Sequence, residues 1–367
     1  MTSTRRRFLG LLTSPIVIGA ASPVEFADYG PAFRIEAQAS DPRVKCFDLR
    51  RLTSWKTPAE EFFTFHQTKA VQSIDLNKWR LEISGSIARP RTLTLADLTG
   101  YPAKQVPATI ECSGNSKQPQ LMNGLVSNGV WTGPQLAPIL KDCGILAEAR
   151  EVVFFGADIE SERKWPAGDR VFDVPHGRSI FIQDALTSGA ILALQLNGRP
   201  LPVEHGFPVR LVIPGWYGMA QIKWLNRIMV LDRRYEGRNM ARNYHSLRIA
   251  PGNLALETSI GRNRLKSVVA NVTGAAISGA AWGGPNTIER VEVRIDNQPW
   301  REAAFSQKNA ADAWSLWTTP WTGAAPGLHT VVSRAVDSRG ALQPEQHTME
   351  SAREDNSQWV RKITVAG

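Results

Sequence analysis

A few residues in this sequence have types and spacings that could do chemistry. Cys112 stands in "TIECSGNSKQ", after a short strand-like run and before Gly114 and Asn115, residues that open turns. Further along, "PVEHGFPVRLVIPGWYGMAQIKWL", Pro202 to Leu225, carries His205, Arg210 and Lys223 among glycines and prolines. A cysteine at the mouth of a loop can be a nucleophile, a metal ligand or a space-filler. The nucleophile asks for a histidine base, which six histidines leave open. The ligand asks for a thiolate with further donors. Cations interspersed with glycine and proline suit a chain wrapped around an anionic, phosphate-bearing group. The same residues also suit a satisfied core histidine beside two surface charges.

Cys46, Cys112 and Cys143 are the only cysteines in 367 residues. They are odd in number and far apart, and neither "CxxC" nor "CxxCH" occurs, so a zinc cluster of cysteines and a covalently attached haem have no support. Cys143 falls with Leu136, Ile139 and Leu140 on one face of a helix in "GPQLAPILKDCGI", which makes it a core residue. Cys46, in "RVKCFDL", has no distinguishing context. One soft thiolate is enough for molybdenum held by a dithiolene cofactor, because the cofactor brings the other sulfurs.

The elements that must position these residues fall into two textures. From about residue 22 to 78 no sustained period is visible. Strand candidates then follow at "WRLEISG" (Trp79 to Gly85), "EVVFFGAD" (Glu151 to Asp158), "AILALQLNG" (Ala190 to Gly198) and "FPVRLVIPG" (Phe207 to Gly215), with the Cys143 helix and turn-rich loops between them. This part reads as mixed α and β. After about Gly252, short alternating segments such as "SVVANVTG", "RVEVRID" and "HTVVSRAVD" recur between turns, as in an antiparallel β-sandwich. Trp282, Trp300, Trp314, Trp317 and Trp321 would supply its apolar packing.

Hydrophobic residues make up 43% and charged residues 21%, ordinary values for a globular chain. The net charge is +9; three of those charges are Arg5, Arg6 and Arg7, which leaves +6 for the rest. "TRRRFLG" followed by the weakly apolar "LLTSPIVIGAA" reads as a twin-arginine export signal, too short for a membrane span, with cleavage near Ala20 or Ala21. A periplasmic location follows from that reading. Arg227, Arg233, Arg234, Arg238, Arg242 and Arg248 crowd one stretch. No nucleic-acid-binding module accompanies them, so a small oxyanion or an acidic partner fits this balance better than a nucleic acid.

The sequence resembles the sulfite oxidase family of molybdopterin enzymes from about Trp55 to its end. The segments that carry the resemblance are "ECSGN", "WTG", "LNGRPLPVEHGFPVRLVIPGWYG", "KWL" and "AW...IERVEVRIDNQPW". It implies a mixed α+β molybdopterin-binding catalytic domain over residues 22–250 and an immunoglobulin-like antiparallel β-sandwich, a dimerisation domain, over residues 251–367. It further implies that Cys112 is the thiolate ligand of molybdenum. Asp158 in "FGAD", His205, Arg210 and the run Gln221, Ile222, Lys223 correspond to positions that contact the pterin and its phosphate. Trp131 corresponds to a tryptophan bordering the substrate pocket. Tyr244 in "ARNYHS" corresponds to the active-site tyrosine, with Tyr235 as its competitor.

Departures from the family pattern bear on the substrate. Classical sulfite oxidases carry an arginine in "F-x-R-N-H"; here "FFTFHQ" has Phe65 near the arginine position, with Gln67 or His66 at the cofactor-contacting histidine. A second family arginine, five residues after the cysteine, is Lys117, which keeps the charge without the planar fork. The combined reading is an exported, haem-free molybdopterin oxidoreductase performing two-electron oxygen-atom transfer. Sulfite is the expected anionic substrate, an external carrier such as a c-type cytochrome the electron acceptor, and a homodimer the assembly. A reductase of sulfoxides or nitrate-like substrates, and a non-catalytic exported binding protein, are the alternatives.

Overall fold

The computed structural model describes residues 24–27, 43–67, 73–118, 121–163, 171–273, 275–309 and 312–367. The expected export signal, residues 1–21, lies outside them.

Two sheets of four or more strands, with smaller two-stranded pairs beside them, build the first domain. The larger has five strands in the order Arg91–Leu93, Leu81–Gly85, Leu225–Leu231, Glu151–Arg163 and Val171–Phe181. Leu81–Gly85 runs parallel to Leu225–Leu231, and the other pairs are antiparallel. The smaller has the order Arg199–Pro200, Gln195–Leu196, Val126–Pro134 and Ala103–Glu111. Within Ala103–Glu111 the inward run Ala108 to Glu111 is buried throughout, which fixes the strand's end, and hence Cys112, against the core. The helix Leu136–Cys143 buries Leu136, Ile139, Leu140 and Cys143, the face expected from the spacing, and ends at Gly144 in the left-handed region. "AILALQLNG" divides into the strands Ile191–Ala193 and Gln195–Leu196, which join different sheets.

The second domain is an antiparallel sheet of eight strands folded onto itself as a sandwich. Its strand Arg301–Gln307 passes from one layer to the other. Val291 pairs with Ala303 on one side, and Ala304 pairs with Thr318 on the next. The layers meet where Ser267 Oγ lies 2.9 Å from Ser333 Oγ and Arg361 donates 2.8 Å to the Val269 carbonyl. One edge strand is Val24–Phe26, which pairs with Arg361–Val365. An N-terminal strand therefore completes the C-terminal domain, where a boundary at residue 22 had assigned it to the first.

The tryptophans divide between three environments. Trp317 and Trp321 pack in the sandwich core. Trp282 and Trp314 pack instead against Phe47, Leu49, Met122 and Val126 of the first domain, forming an apolar seam between the domains. Trp300 sits outside the core between two guanidinium groups, Arg334 at 4.0 Å and Arg294 at 4.7 Å from its ring. Among the described residues, no helix is long and apolar enough to cross a membrane.

Candidate active site

The strand end at Glu111, the "HGFPVR" turn and the segment before Leu225 converge on one cavity in the first domain. His66, Gln67, Cys112, Asp158, His205, Arg210, Gln221, Ile222, Lys223 and Tyr244 all line it. Cys112 is held by its main chain: its N–H donates to the Leu125 carbonyl, and its carbonyl accepts from Asn115, both at 2.9 Å. The Asn115 side chain closes the loop by accepting from the Leu125 N–H at 3.0 Å. The sulfur lines the cavity and accepts from the Gly114 main chain. Burial pushes the Cys112 thiol up to about 11, with nearby Glu111 adding to the shift, so the thiolate needs a cation to persist at neutral pH.

The cationic side of the cavity follows from one turn. Val203–His205 is a tight helical turn ended by Gly206 at φ 104, where a Cβ would stand 3.0 Å from Lys223. The missing side chain lets His205, Arg210 and Lys223 gather. Arg210 is 5% exposed; it donates to the carbonyls of His205 and Gln221 at 3.1 Å, and its Nε has no partner among the described residues. Burial lowers its pKa to about 9. Lys223 donates to His66 Nδ1 at 2.7 Å and to the Phe65 and Glu204 carbonyls at 3.2 Å. Burial first and Arg210 second lower its pKa to about 7. The imidazoles are neutral: burial followed by neighbouring cations lowers His205 to about 3 and His66 to about 4.

A buried guanidinium with an unsatisfied N–H and a half-buried ammonium, beside a single thiol, make a donor set suited to a phosphate-bearing group that carries a soft metal. Among the described residues, no three His, Cys, Asp or Glu gather as a metal cage. The molybdenum–pterin group fits these residues. Cys112 would hold the metal, and Arg210 and Lys223 the phosphate.

The remaining expected residues are placed as follows. The Gln221 side chain is fully engaged, exchanging bonds with Ile213 and donating to the Trp216 carbonyl, all at 2.9 Å; only its carbonyl serves the site, by orienting Arg210. Both His66 and Gln67 line the cavity, and the Tyr244 hydroxyl donates to Gln67 Oε1. Tyr235 does not; it packs edge-on against Phe155. Trp131 does not border the cavity either. It is fully buried behind Arg210, whose guanidinium lies 4.8 Å from its ring. Lys117 turns away and donates to Ser357 Oγ at 3.0 Å. Lys117 stands at the position of the family arginine, but the loop after Cys112 carries it to Ser357 of the second domain and not to the cavity.

Sequence reasoning missed two residues. His176 enters from Val171–Phe181, lines the cavity and contacts Asn239 Nδ2 at 2.9 Å. Its signal was the alternation in "RVFDVPHGRSIF", which reads as a strand once its partner Glu151–Arg163 is known. Arg353 comes from the second domain and lies 4.7 Å from the Tyr244 ring. Nothing in its surroundings in sequence marks it.

The acid behaviour of the cofactor-free chain follows from the cavity's imidazoles, all three of which burial holds below the ordinary value. His66 and His205 have folded-state values near 4 and 3 against an ordinary 6.5. As pH falls through that window the unfolded chain takes up protons that the folded chain refuses, and stability drops. The melting temperature of the cofactor-free protein is expected to fall between about pH 6.5 and 4. A His66→Gln chain should show a shallower fall over the same range; an equal slope would remove His66 from the account.

The oxidoreductase molybdopterin-binding domain family matches residues 68–239, and the Mo-co oxidoreductase dimerisation domain family matches residues 254–365. The chain belongs to the sulfite oxidase family of molybdopterin oxidoreductases. Among its relatives, the mitochondrial sulfite oxidase of Drosophila melanogaster is 30% identical, over 78% of this chain and 56% of that protein. The NAD(P)H nitrate reductase of Hordeum vulgare is 33% identical over 51% of this chain and 22% of its own. The chain thus spans little more than half the length of the fly relative. The crystal structure of the sulfane dehydrogenase SoxCD from Paracoccus pantotrophus shares the fold at a TM-score of 0.78, covering 89% of this chain and 88% of that one at 24% identity. The first domain is thus a molybdopterin-binding domain and the second a dimerisation domain.

Proposed function

We propose that the protein oxidises sulfite to sulfate by two-electron oxygen-atom transfer and passes the electrons singly to an external acceptor. The observation that carries this reading is Cys112 opening, together with the cations Arg210 and Lys223, onto one cavity of the molybdopterin-binding domain. When bound, the molybdenum–pterin group supplies the oxo transfer and the two-electron redox change. The chain's own residues bind and orient. Arg210 and Lys223 neutralise the phosphate, Cys112 holds the metal, and Arg353 beside Tyr244 provides a cation on the substrate side. Tyr244 stays protonated, because burial raises its pKa. Its single proton, given to Gln67 Oε1 in the cofactor-free chain, would have to turn from there to a bound oxyanion.

Purified protein is expected to contain molybdenum and pterin in stoichiometric amount and to reduce ferricyanide when given sulfite. Molybdenum without sulfite turnover would overturn the substrate and leave the family. Phe65 favours testing a second substrate class, since an apolar ring lines the cavity where classical members have a cation. A sulfoxide and nitrate, offered with a reduced donor, test that reading.

The second domain supports a homodimer, and the proposed acceptor is an external carrier such as a c-type cytochrome. The paired arginines support export to the periplasm by the twin-arginine route. Arg5→Lys with Arg6→Lys is expected to leave uncleaved protein in the cytoplasm, because the receptor reads the guanidinium pair. Normal export of that variant would show the leader to be something else.

A further inference from the structure

Glu111, the residue before Cys112, is 1% exposed and its carboxylate takes three hydrogen bonds. Lys266 Nζ reaches Oε1 at 3.1 Å, Asn115 Nδ2 reaches Oε1 at 3.0 Å, and Trp282 Nε1 reaches Oε2 at 2.8 Å. Lys266 and Trp282 belong to the second domain; Asn115 belongs to the cysteine loop. Lys266 is 2% exposed and is fixed from the far side by the Asp355 carbonyl at 2.7 Å. The loop's other flank is tied to the same domain, by Glu354 N–H to the Ser113 carbonyl at 2.7 Å and Lys117 to Ser357 Oγ at 3.0 Å.

A buried ion pair is a poor way to glue two domains, because desolvation offsets most of its attraction. The glue is already present in the apolar seam around Trp282 and Trp314. What a fully bonded carboxylate adds is direction, since each partner must be met at a fixed angle. Residues 111, 113, 115 and 117 are thus held, while Cys112 between them gives its side chain to the cavity.

We propose that the dimerisation domain also sets the position of the metal-binding thiol, with Glu111 and Lys266 as positioning residues that clamp the Cys112 loop between the two domains. The proposal rests on Cys112 being the ligand. It predicts that the geometry of the thiol changes when a residue wholly inside the second domain is altered, even though that residue touches neither cavity nor cofactor.

The test uses the full chain, with and without cofactor, as the parent and as Lys266→Met, Lys266→Arg and Trp282→Phe. Maleimide labelling of the cofactor-free chain is followed cysteine by cysteine by peptide mass spectrometry. Lys266→Met is expected to speed labelling of Cys112 by about tenfold, as for loss of a coupled contact. Cys46 and Cys143, 4% and 0% exposed, should stay as slow as in the parent. Lys266→Arg should return most of the parent rate. In the loaded chain, Lys266→Met should shift the thiolate-to-metal absorption band without altering the oligomeric state. If Lys266→Met does not fold, Trp282→Phe, which removes one donor and keeps an aromatic ring, decides the matter by the same labelling rate. An unchanged Cys112 rate overturns the proposal. So does an equal rise at all three cysteines, which would be loss of stability alone. A parent chain lacking the thiolate-to-metal band would remove the ligand reading itself, and the labelling rates would still decide whether the clamp exists.

Discussion

Cys112→Ser is expected to keep the fold and the pterin while turnover falls on the order of 10³-fold or more, the scale for loss of a group required in the transition state. The loop survives the change because most of its bonds are main-chain and Asn115 bonds that do not use the sulfur, and a serine oxygen can accept the one that the Gly114 main chain gives it. The pterin survives because Arg210 and Lys223 come from a different segment of the chain. What changes is the ligand. A hydroxyl is harder than a thiolate and ionises far less readily, in a position where burial already pushes even the thiol up to about 11. Pterin fluorescence after release, metal content and turnover, measured on one preparation, separate these effects. Full activity in Cys112→Ser, on any substrate the parent uses, would end the case for the cysteine as ligand.

The parts of the site that were legible in the sequence are those written in one continuous segment. His205, Arg210 and Lys223 lie on the two sides of a turn that Gly206 permits, so their types and spacing survive folding as neighbours. Cys112 was legible because a strand ends just before it, and Cys143 because a helix face has a period. Trp131, Lys117, His176 and Arg353 were not legible in the same way, because their directions depend on partners remote in the chain. Trp131 alternates correctly within its strand, yet the face it occupies is closed by Phe62 and Arg210. Arg353 arrives from a loop of the other domain, and Val24–Phe26 joins a sheet whose other strands begin more than two hundred residues later. The sandwich itself was legible from its alternating strands. The allegiance of Trp282 and Trp314 was not, because periodicity reports that a residue is buried and not what buries it.

The electrostatics of the cavity combine these two classes of residue. Its imidazoles are neutral and burial partly discharges Lys223, while Arg210 keeps its charge, so the cofactor-free cavity has given up charge that it would hold in water. An anion entering restores that charge. Binding is therefore coupled to protonation of Lys223, and the apolar backing of Arg210 by Trp131 strengthens the attraction by keeping water out.

Arg210→Met is expected to lower cofactor occupancy by roughly 10- to 100-fold at limiting cofactor, the loss for one hydrogen-bonded charge removed from a desolvated anion. Methionine fills much of the space against Trp131, so the fold should persist, and the His205 and Gln221 carbonyls that Arg210 bridges can be met by water from the cavity. Lys223→Met should weaken binding as well, with a diagnostic pH profile. In the parent, Lys223 titrates near 7 without an anion, and a bound phosphate raises that value by stabilising the ammonium. Cofactor affinity should therefore fall as pH rises above about 7 in the parent, and that dependence should vanish in Lys223→Met while Arg210→Met retains it. Occupancy is read by metal analysis and pterin release after reconstitution at pH values on both sides of 7. Full occupancy in both variants would return Arg210 and Lys223 to structural charges and move the phosphate site elsewhere. A pH profile unchanged in Lys223→Met would leave the anion site in place and assign the titration to another group.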